Sequence, residues 1–293
     1  MEGASEAVEV DMAAIFWHDG TWYENEQPRL LGPLDHAMWM ASVAFDGARS
    51  IDGLVPDLDR HCARLIDSTR KMLLEPTLGA DQVEALCREA VRRLPRELAT
   101  YIRPMFFARR GFVVPEPAST DFCLCVFALP MPEPRGMRVC FSSYRRPARD
   151  AAPTDAKASC LYPNMQRALI EAQGRGCDNA ITLDPCGNVA ELATANLWIA
   201  KDGVALTPAC NGTFLDGITR QRVMRLLRDD GIAVEETTLT REDVLAADEV
   251  FSTGNYGKVL PITAVDARHY QIGRVYQRAR ALYFEFARSQ PPG

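Results

Sequence analysis

Lys157, in the run T-D-A-K-A, offers an amine, and a lysine amine that is neutral near pH 7 attacks carbonyl carbon. Burial beside a cation can lower a lysine's pKa far enough for that. A lysine on its own is usually a solvated surface group, so its companions decide its meaning. Glu191 follows the turn P-C-G-N and precedes an apolar run, which allows its side chain to point into a cleft. Gly217-Ile218-Thr219 opens a helical pattern in which Val223, Leu226 and Leu227 face a core. Glycine there permits close backbone approach, Thr219 is a suitable N-cap, and the free amides of a helix start attract an anion. Arg64, in H-C-A-R-L, carries a fork of donors that matches phosphate oxygens. Metal chemistry is not expected: His18, His36, His61 and His269 are scattered, and none pairs with a cysteine at ligand spacing.

The surrounding pattern supplies elements to hold these groups. F-W-H-D-G-T-W-Y reads as a hairpin turning at Asp19-Gly20. Leu58, Cys62, Leu65 and Ile66 recur at helical spacing, as do Val83, Leu86, Cys87 and Ala90. Strand-like runs follow over 101–108 and 122–128, the second apolar on both faces as a central strand would be. Residues 128–136, A-L-P-M-P-E-P-R-G, hold three prolines and read as an extended linker. Beyond it come a strand over 138–144, a helix over 164–173, strands over 179–184 and 189–191, a hairpin at Asp202-Gly203 and an aromatic-rich helix over 275–288. The expected organisation is an N-terminal domain over 1–128, a linker over 129–136 and a C-terminal domain over 137–293. Irregular alternation of strands and helices favours α/β or α+β domains over one doubly wound sheet.

Composition narrows the class. A net charge of −6 argues against a nucleic-acid partner, which requires a concentrated basic face. Nine cysteines, an odd number without a C-x-x-C pair and partly in apolar runs such as F-C-L-C-V-F, read as reduced packing residues. The acidic opening segment M-E-G-A-S-E-A-V-E-V-D does not read as a signal peptide, and no apolar run is long enough to span a bilayer. A cytoplasmic, soluble protein without a membrane partner is expected.

The stretch E-L-A-T-A-N-L-W, then A-L-T, then L-D-G-I-T-R resembles the class IV aminotransferase signature, with Glu191, Asn196, Thr207 and Gly217-Ile218-Thr219-Arg220 at its positions. Trp198 and Ala205 depart from it, both at positions expected to pack. The resemblance runs from the opening hairpin to A-D-E-V-F-S-T-G-N at 247–255. It implies a two-domain fold type IV architecture of the D-amino-acid aminotransferase kind, with pyridoxal 5'-phosphate between a smaller N-terminal and a larger C-terminal domain. It implies that Lys157 holds the cofactor as a Schiff base and then moves a proton at the substrate α-carbon. Glu191 is implied to face the pyridine nitrogen and keep the ring cationic, which makes it an electron sink. Tyr162 is implied to hydrogen-bond the phenolic oxygen. Arg64, Gly217, Ile218, Thr219, Gly254 and Asn255 are implied to hold the phosphate, although relatives often have Gly-Thr at 254–255.

For the substrate, Tyr101-Ile102-Arg103 is similar to the Y-x-R of branched-chain enzymes, with the tyrosine on the carboxylate and the arginine in support. The D-amino-acid branch uses an arginine and a histidine two residues apart. Here Arg109-Arg110 continues Gly-Phe-Val-Val instead. Phe45, Met40 and Tyr256 are candidates for the side-chain pocket, Met40 standing near where branched-chain enzymes have a tyrosine. The resemblance therefore implies transfer of an amino group from a branched-chain or hydrophobic L-amino acid to 2-oxoglutarate, in a homodimer or higher homo-oligomer. An (R)-selective amine transaminase and an aminodeoxychorismate lyase remain the alternatives.

Overall fold

Asp19 and Gly20 both adopt positive φ, 46° and 78°, and turn the chain between β1 (Ala14–His18) and β2 (Thr21–Glu24) as the Asp-Gly pair requires. The computed structural model describes residues 13–290, so the acidic opening segment lies outside the described residues. After the hairpin come a short helix α1 (His36–Met40) and two three-residue strands, β3 (Val43–Phe45) and β4 (Ala48–Ser50). Helices α2 (Leu58–Lys71) and α3 (Ala80–Arg92) follow, then the long strands β5 (Thr100–Ala108) and β6 (Thr120–Ala128). These six strands form one antiparallel sheet in the order β2-β1-β6-β5-β3, with β4 also on β5. The apolar stripes of α2 and α3 cover one face. Leu58, Cys62, Leu65, Val83 and Cys87 pack there against Ile102, Phe106, Phe122, Leu124 and Val126.

The second sheet begins with β7 (Met137–Arg145), and α4 (Tyr162–Gly174) leads into β8 (Asn179–Leu183) and β9 (Val189–Leu192). A hairpin, turning at Asp202 and Gly203 with φ of 50° and 80°, joins β10 (Asn196–Lys201) to β11 (Val204–Pro208). Then follow α5 (Ile218–Asp229), β12 (Val234–Thr237), α6 (Arg241–Ala246), β13 (Glu249–Gly254), β14 (Lys258–Val265), β15 (Arg268–His269) and α7 (Arg274–Arg288). The strand order is β12-β11-β10-β13-β14-β7-β8-β9, with β15 on β14; β11–β12, β14–β7 and β7–β8 run parallel. Helices α5 and α7 bury Val223, Leu227, Tyr276 and Tyr283 against Trp198 and Phe251, whose rings stack 5.6 Å apart. Trp198 and Ala205, the two departures from the signature, are both buried here. The mixture of helices and largely antiparallel sheets is the α+β architecture expected.

Residues 129–136 belong to neither sheet. The two halves meet instead along a seam formed by residues 157 and 158. The Phe45 amide donates to the Lys157 carbonyl at 3.0 Å, Ala44 and Ala158 form an antiparallel bridge, and the Lys157 amide donates to Ser68 Oγ at 3.0 Å. Ion pairing between Arg222 on α5 and Asp57 ahead of α2 adds a second link. The expected helix over 164–173 starts two residues earlier, at Tyr162, with Pro163 in its first turn. Among the described residues no helix is long and apolar enough to cross a membrane, and no cluster of His, Cys, Asp or Glu could hold a metal. All nine cysteines are free; Cys62, Cys87, Cys123 and Cys140 pack in the interior, but Cys160, Cys186 and Cys210 are exposed.

Leu65 is fully buried on the helix that carries His61 and Arg64. Leu65→Ala leaves a cavity under α2 and should cost about 2–5 kcal/mol, read from the urea midpoint of the purified protein.

Candidate active site

The seam fixes the backbone of Lys157, and its side chain enters the cleft between the sheets. Lys157 Nζ donates to the Tyr162 hydroxyl at 3.0 Å and sits 5.0 Å from the centre of the Phe45 ring. Phe45 and Tyr162 pack against each other at 5.2 Å. The same cavity is lined by Arg64, Arg146, Glu191, Asn196, Gly217, Ile218, Thr219, Gly254 and Asn255. An amine, an acid and a helix start, separated by up to 62 positions in the chain, thus share one space.

The Lys157 pKa does not fall as expected. Burial opposes the charge and Arg64 adds to that, but Tyr162 and Asp46 outweigh both, so the amine is held above its ordinary value. It must therefore give up a proton before it can attack a carbonyl. The Tyr162 oxygen is its hydrogen-bonded neighbour.

Glu191 projects from β9 with 12% of its side chain exposed. Asn196 Nδ2 donates to its Oε2 at 3.2 Å, and Arg146 Nη1 lies 3.5 Å from its Oε1. Burial lifts its pKa from 4.5 to about 7 against the opposing pull of Arg146 and Lys157. Arg146, which the sequence reading passed over, is itself buried and is anchored by donation to the Thr213 carbonyl at 2.8 Å. A carboxyl so poised becomes a firm anion once a cationic ring nitrogen faces it.

The third part is the start of α5. Thr219 is not the N-cap: the helix begins at Ile218, and Gly217 is the capping residue. A Cβ at Gly217 would lie 2.0 Å from Asn196 Oδ1, so the close approach of Asn196 excludes any other residue. Asn196 thereby ties the Glu191 carboxyl to the helix start. Gly217 caps with no side-chain acceptor, leaving the first amides, at Ile218 and Thr219, open to an anion.

Arg64 faces this cup from α2, held in a bidentate pair with Asp46 at 2.7 and 2.8 Å. His61 Nδ1 shares Asp46 Oδ1 at 2.7 Å. Burial would raise the Asp46 pKa, but Arg64 and His61 hold it far below the usual carboxylate range. Burial in turn lowers the His61 pKa. Asp46 and His61 were not legible as site residues. Their only signal was that His61 and Arg64, three apart, occupy one flank of a helix whose other flank is apolar.

Of the substrate candidates, Phe45 lies against the amine, and Tyr101 lies close to Gly47, where an added Cβ would meet its hydroxyl at 2.4 Å. Arg103 sits behind Tyr101, 5.4 Å from its ring. Tyr256 is exposed at the turn after Gly254 and lines a neighbouring hollow. Met40 is not brought to the cavity of this chain; it lies on α1 in an exposed apolar patch.

Residues 43–265 match the family model described as amino-transferase class IV. The chain is 32% identical to a branched-chain-amino-acid aminotransferase of Pseudomonas aeruginosa, covering 94% of this chain and 93% of that one. It is 31% identical to the enzyme of the same description from Escherichia coli, over 91% and 92% of the two chains. Among solved structures, an aminotransferase from Brucella abortus bound to PLP superposes with a TM-score of 0.93 at 49% identity, covering 94% of this chain and all of that one. A branched-chain aminotransferase from Thermoproteus uzoniensis with norvaline gives 0.86 at 29% identity, over 94% and 95%. The chain belongs to the class IV aminotransferases. Pyridoxal phosphate is a cofactor these residues fit: the crowded Gly217 cradle and the open amides suit its phosphate, and the buried Glu191 suits its ring nitrogen.

Because the folded protein keeps the Glu191 proton between pH 4.5 and about 7 while the unfolded chain releases it, this residue's contribution to stability falls as pH rises through that window. Glu191→Gln removes that titration. Cofactor-free wild type should lose roughly 3 kcal/mol relative to Glu191→Gln between pH 4.5 and 8, at about 1.4 kcal/mol per pKa unit. Denaturant titrations of both proteins at the two pH values would show it, and parallel pH curves would refute it.

Proposed function

We propose that this aminotransferase uses pyridoxal phosphate to move the amino group of a branched-chain or other hydrophobic L-amino acid to 2-oxoglutarate. The observation that carries the reading is the meeting of Lys157, Glu191 and the open start of α5 in one cleft. The bound cofactor supplies an aldehyde for the amine and a ring that accepts electrons from the substrate α-carbon. Lys157 Nζ is the group that holds the cofactor and shuttles the α-proton; Tyr162, at 3.0 Å, steadies it. Glu191 holds the ring nitrogen cationic, and Asn196 and Arg146 hold Glu191. Arg64, Gly217, Ile218, Thr219 and Gly254-Asn255 take the phosphate. Tyr101, with Arg103 packed behind it, meets the substrate carboxylate, and Phe45 bounds the side-chain pocket, with Tyr256 at the neighbouring hollow. The relatives described as branched-chain enzymes support this choice of donor.

The seam and the strandless stretch 129–136 support a division into domains at 1–128 and 137–293. A cytoplasmic location suits nine free thiols. A homodimer is supported by the apolar patch on the first sheet's rim, where Leu34, Met38, Trp39, Phe112, Val113 and Val114 stand exposed, with Trp39 and Phe112 5.7 Å apart. Light scattering at working concentration should give twice the chain mass; a monomer would overturn the dimer.

Lys157→Ala should abolish both the visible absorbance of the bound cofactor and turnover, while retained turnover would remove the central assignment. Mixing the pyridoxal form with L-leucine, L-glutamate, D-alanine and (R)-1-phenylethylamine, and following the visible band, identifies the donor. Rapid bleaching by L-leucine is expected. Bleaching by the amine alone would favour an (R)-selective amine transaminase, and pyruvate formed from aminodeoxychorismate would favour a lyase.

A further inference from the structure

Lys258 begins β14 in the left-handed region, φ 60°, with its side chain buried to 1% exposure. A buried ammonium group is costly, and an apolar chain of the same length would fill the space more cheaply. Its placement has a specific effect on one neighbour. An ammonium has donors only, so Asn255 must present its oxygen, and Lys258 Nζ donates to Asn255 Oδ1 at 2.8 Å. The amide nitrogen, Nδ2, is thereby turned the other way, into a spot where it is buried without an acceptor among the described residues.

That spot is beside Gly47. A Cβ added there would lie 3.1 Å from Asn255 Nδ2 and 2.4 Å from the Tyr101 hydroxyl, so the three groups converge where only glycine fits. Two residues on, Arg49 is fully buried, and its Nε and Nη1 also lack acceptors; its Nη2 is spent on the Leu129 carbonyl at 2.6 Å. The nearest acid on this segment, Asp46, is saturated by Arg64, His61 and the Gly47 amide. Buried donors in surplus with no acceptor among the described residues suit an acceptor from outside the chain, and a cationic Arg49 among them favours an anion.

We propose that Lys258 is a positioning residue for the substrate carboxylate: by donating to Asn255 Oδ1 it turns the Asn255 amide N–H groups toward that carboxylate, beside Tyr101 and Arg49. The proposal rests on the reading that the substrate is an amino acid. It reassigns the Asn255 side chain, which the sequence resemblance put on the cofactor phosphate, and leaves the backbone amide there.

The orienting effect depends on charge. A neutral amine has a lone pair and accepts Nδ2 as readily as it donates to Oδ1, so loss of the proton frees the amide to flip. Burial, with Arg49 adding to it, lowers the Lys258 pKa to about 7 against Asp57 and Asp46. The groups facing Lys258 are Arg49 from β4, Asp46 beyond β3, Asp57 ahead of α2, His61 on α2 and the Tyr283 ring of α7, 5.9 Å away. A carboxylate bound beside Asn255 favours the protonated form.

The test uses holoenzyme and 4-methylpentanoate, a carboxylate without an amino group, as competitor of the L-leucine half-reaction between pH 6 and 8.5. Wild-type affinity for the competitor should decline as pH rises through about 7. Lys258→Met should weaken it about tenfold at pH 6, the worth of one charge-assisted hydrogen bond, and should flatten the pH profile. Lys258→Arg, still a donor-only cation, should recover most of the affinity. The limiting rate at saturating L-leucine should change far less than the half-saturation concentration. Should Lys258→Met fail to fold, Asn255→Ala removes the amide directly and should give the same loss and the same flat profile. Wild-type affinity and pH profile in either variant would overturn the proposal while leaving the transaminase reading intact. Release of cofactor with unchanged competitor affinity would put the amide on the phosphate and also overturn it. A wild-type enzyme that binds neither L-leucine nor 4-methylpentanoate would overturn the amino-acid reading and this inference with it.

Discussion

One backbone hydrogen bond, from the Phe45 amide to the Lys157 carbonyl, with the Ala44–Ala158 bridge beside it, determines what this molecule can do. The lysine belongs to the half of the chain that carries Glu191 and α5. Its main chain nevertheless behaves as an extra partner of β3, at the edge of the other sheet. Neither half has a complete site. The first supplies Arg64, Asp46, Tyr101 and Arg49; the second supplies the acid, the helix start and the 254–258 turn. Pairing across the seam, with Phe45 packed on Tyr162 and Arg222 paired with Asp57, converts two incomplete surfaces into one cleft.

Within the cleft, polarity is divided along its length. At one end Glu191 is an acid raised by burial, waiting for a cation. Around the start of α5 the first amides are open and suit an anion, with Arg64 facing them from α2. Near Gly47, Asn255 and Arg49 hold further donors without acceptors. A ligand that carries a cationic nitrogen, a phosphate and a carboxylate at the right separations satisfies all three regions together. The donors near Gly47 are costly without it, because isolated buried polar groups cost more than their shape is worth to the fold.

Both hairpin turns were legible because Asp-Gly dictates a positive φ locally, whatever the rest of the chain does. The helices with apolar stripes and the long strands were legible for the same reason of periodicity. Strands β3 and β4 were not: three residues are too few to show alternation, and they exist only because β5 pairs with them. Thr219 was a reasonable cap by residue type, but crowding by Asn196, a residue 21 positions earlier, decided for Gly217. Lys157, Glu191 and Arg64 stood out through the family pattern. Asp46, His61, Arg146 and Lys258 did not, because a buried charge looks in sequence like any surface charge until its partner is located. Met40 marks the opposite limit, since its meaning depends on what covers an exposed face.

The triangle of Asp46, His61 and Arg64 also constrains the paths this sequence can take through mutation. Asp46 has no exposed surface and holds two partners, so a single change at any corner strands a charge or a donor in the interior. Neutral intermediates between this triplet and a different one are therefore scarce. Descendants that keep Arg64 at the cleft would inherit all three residues as one linked character, and exchange would demand near-simultaneous replacement.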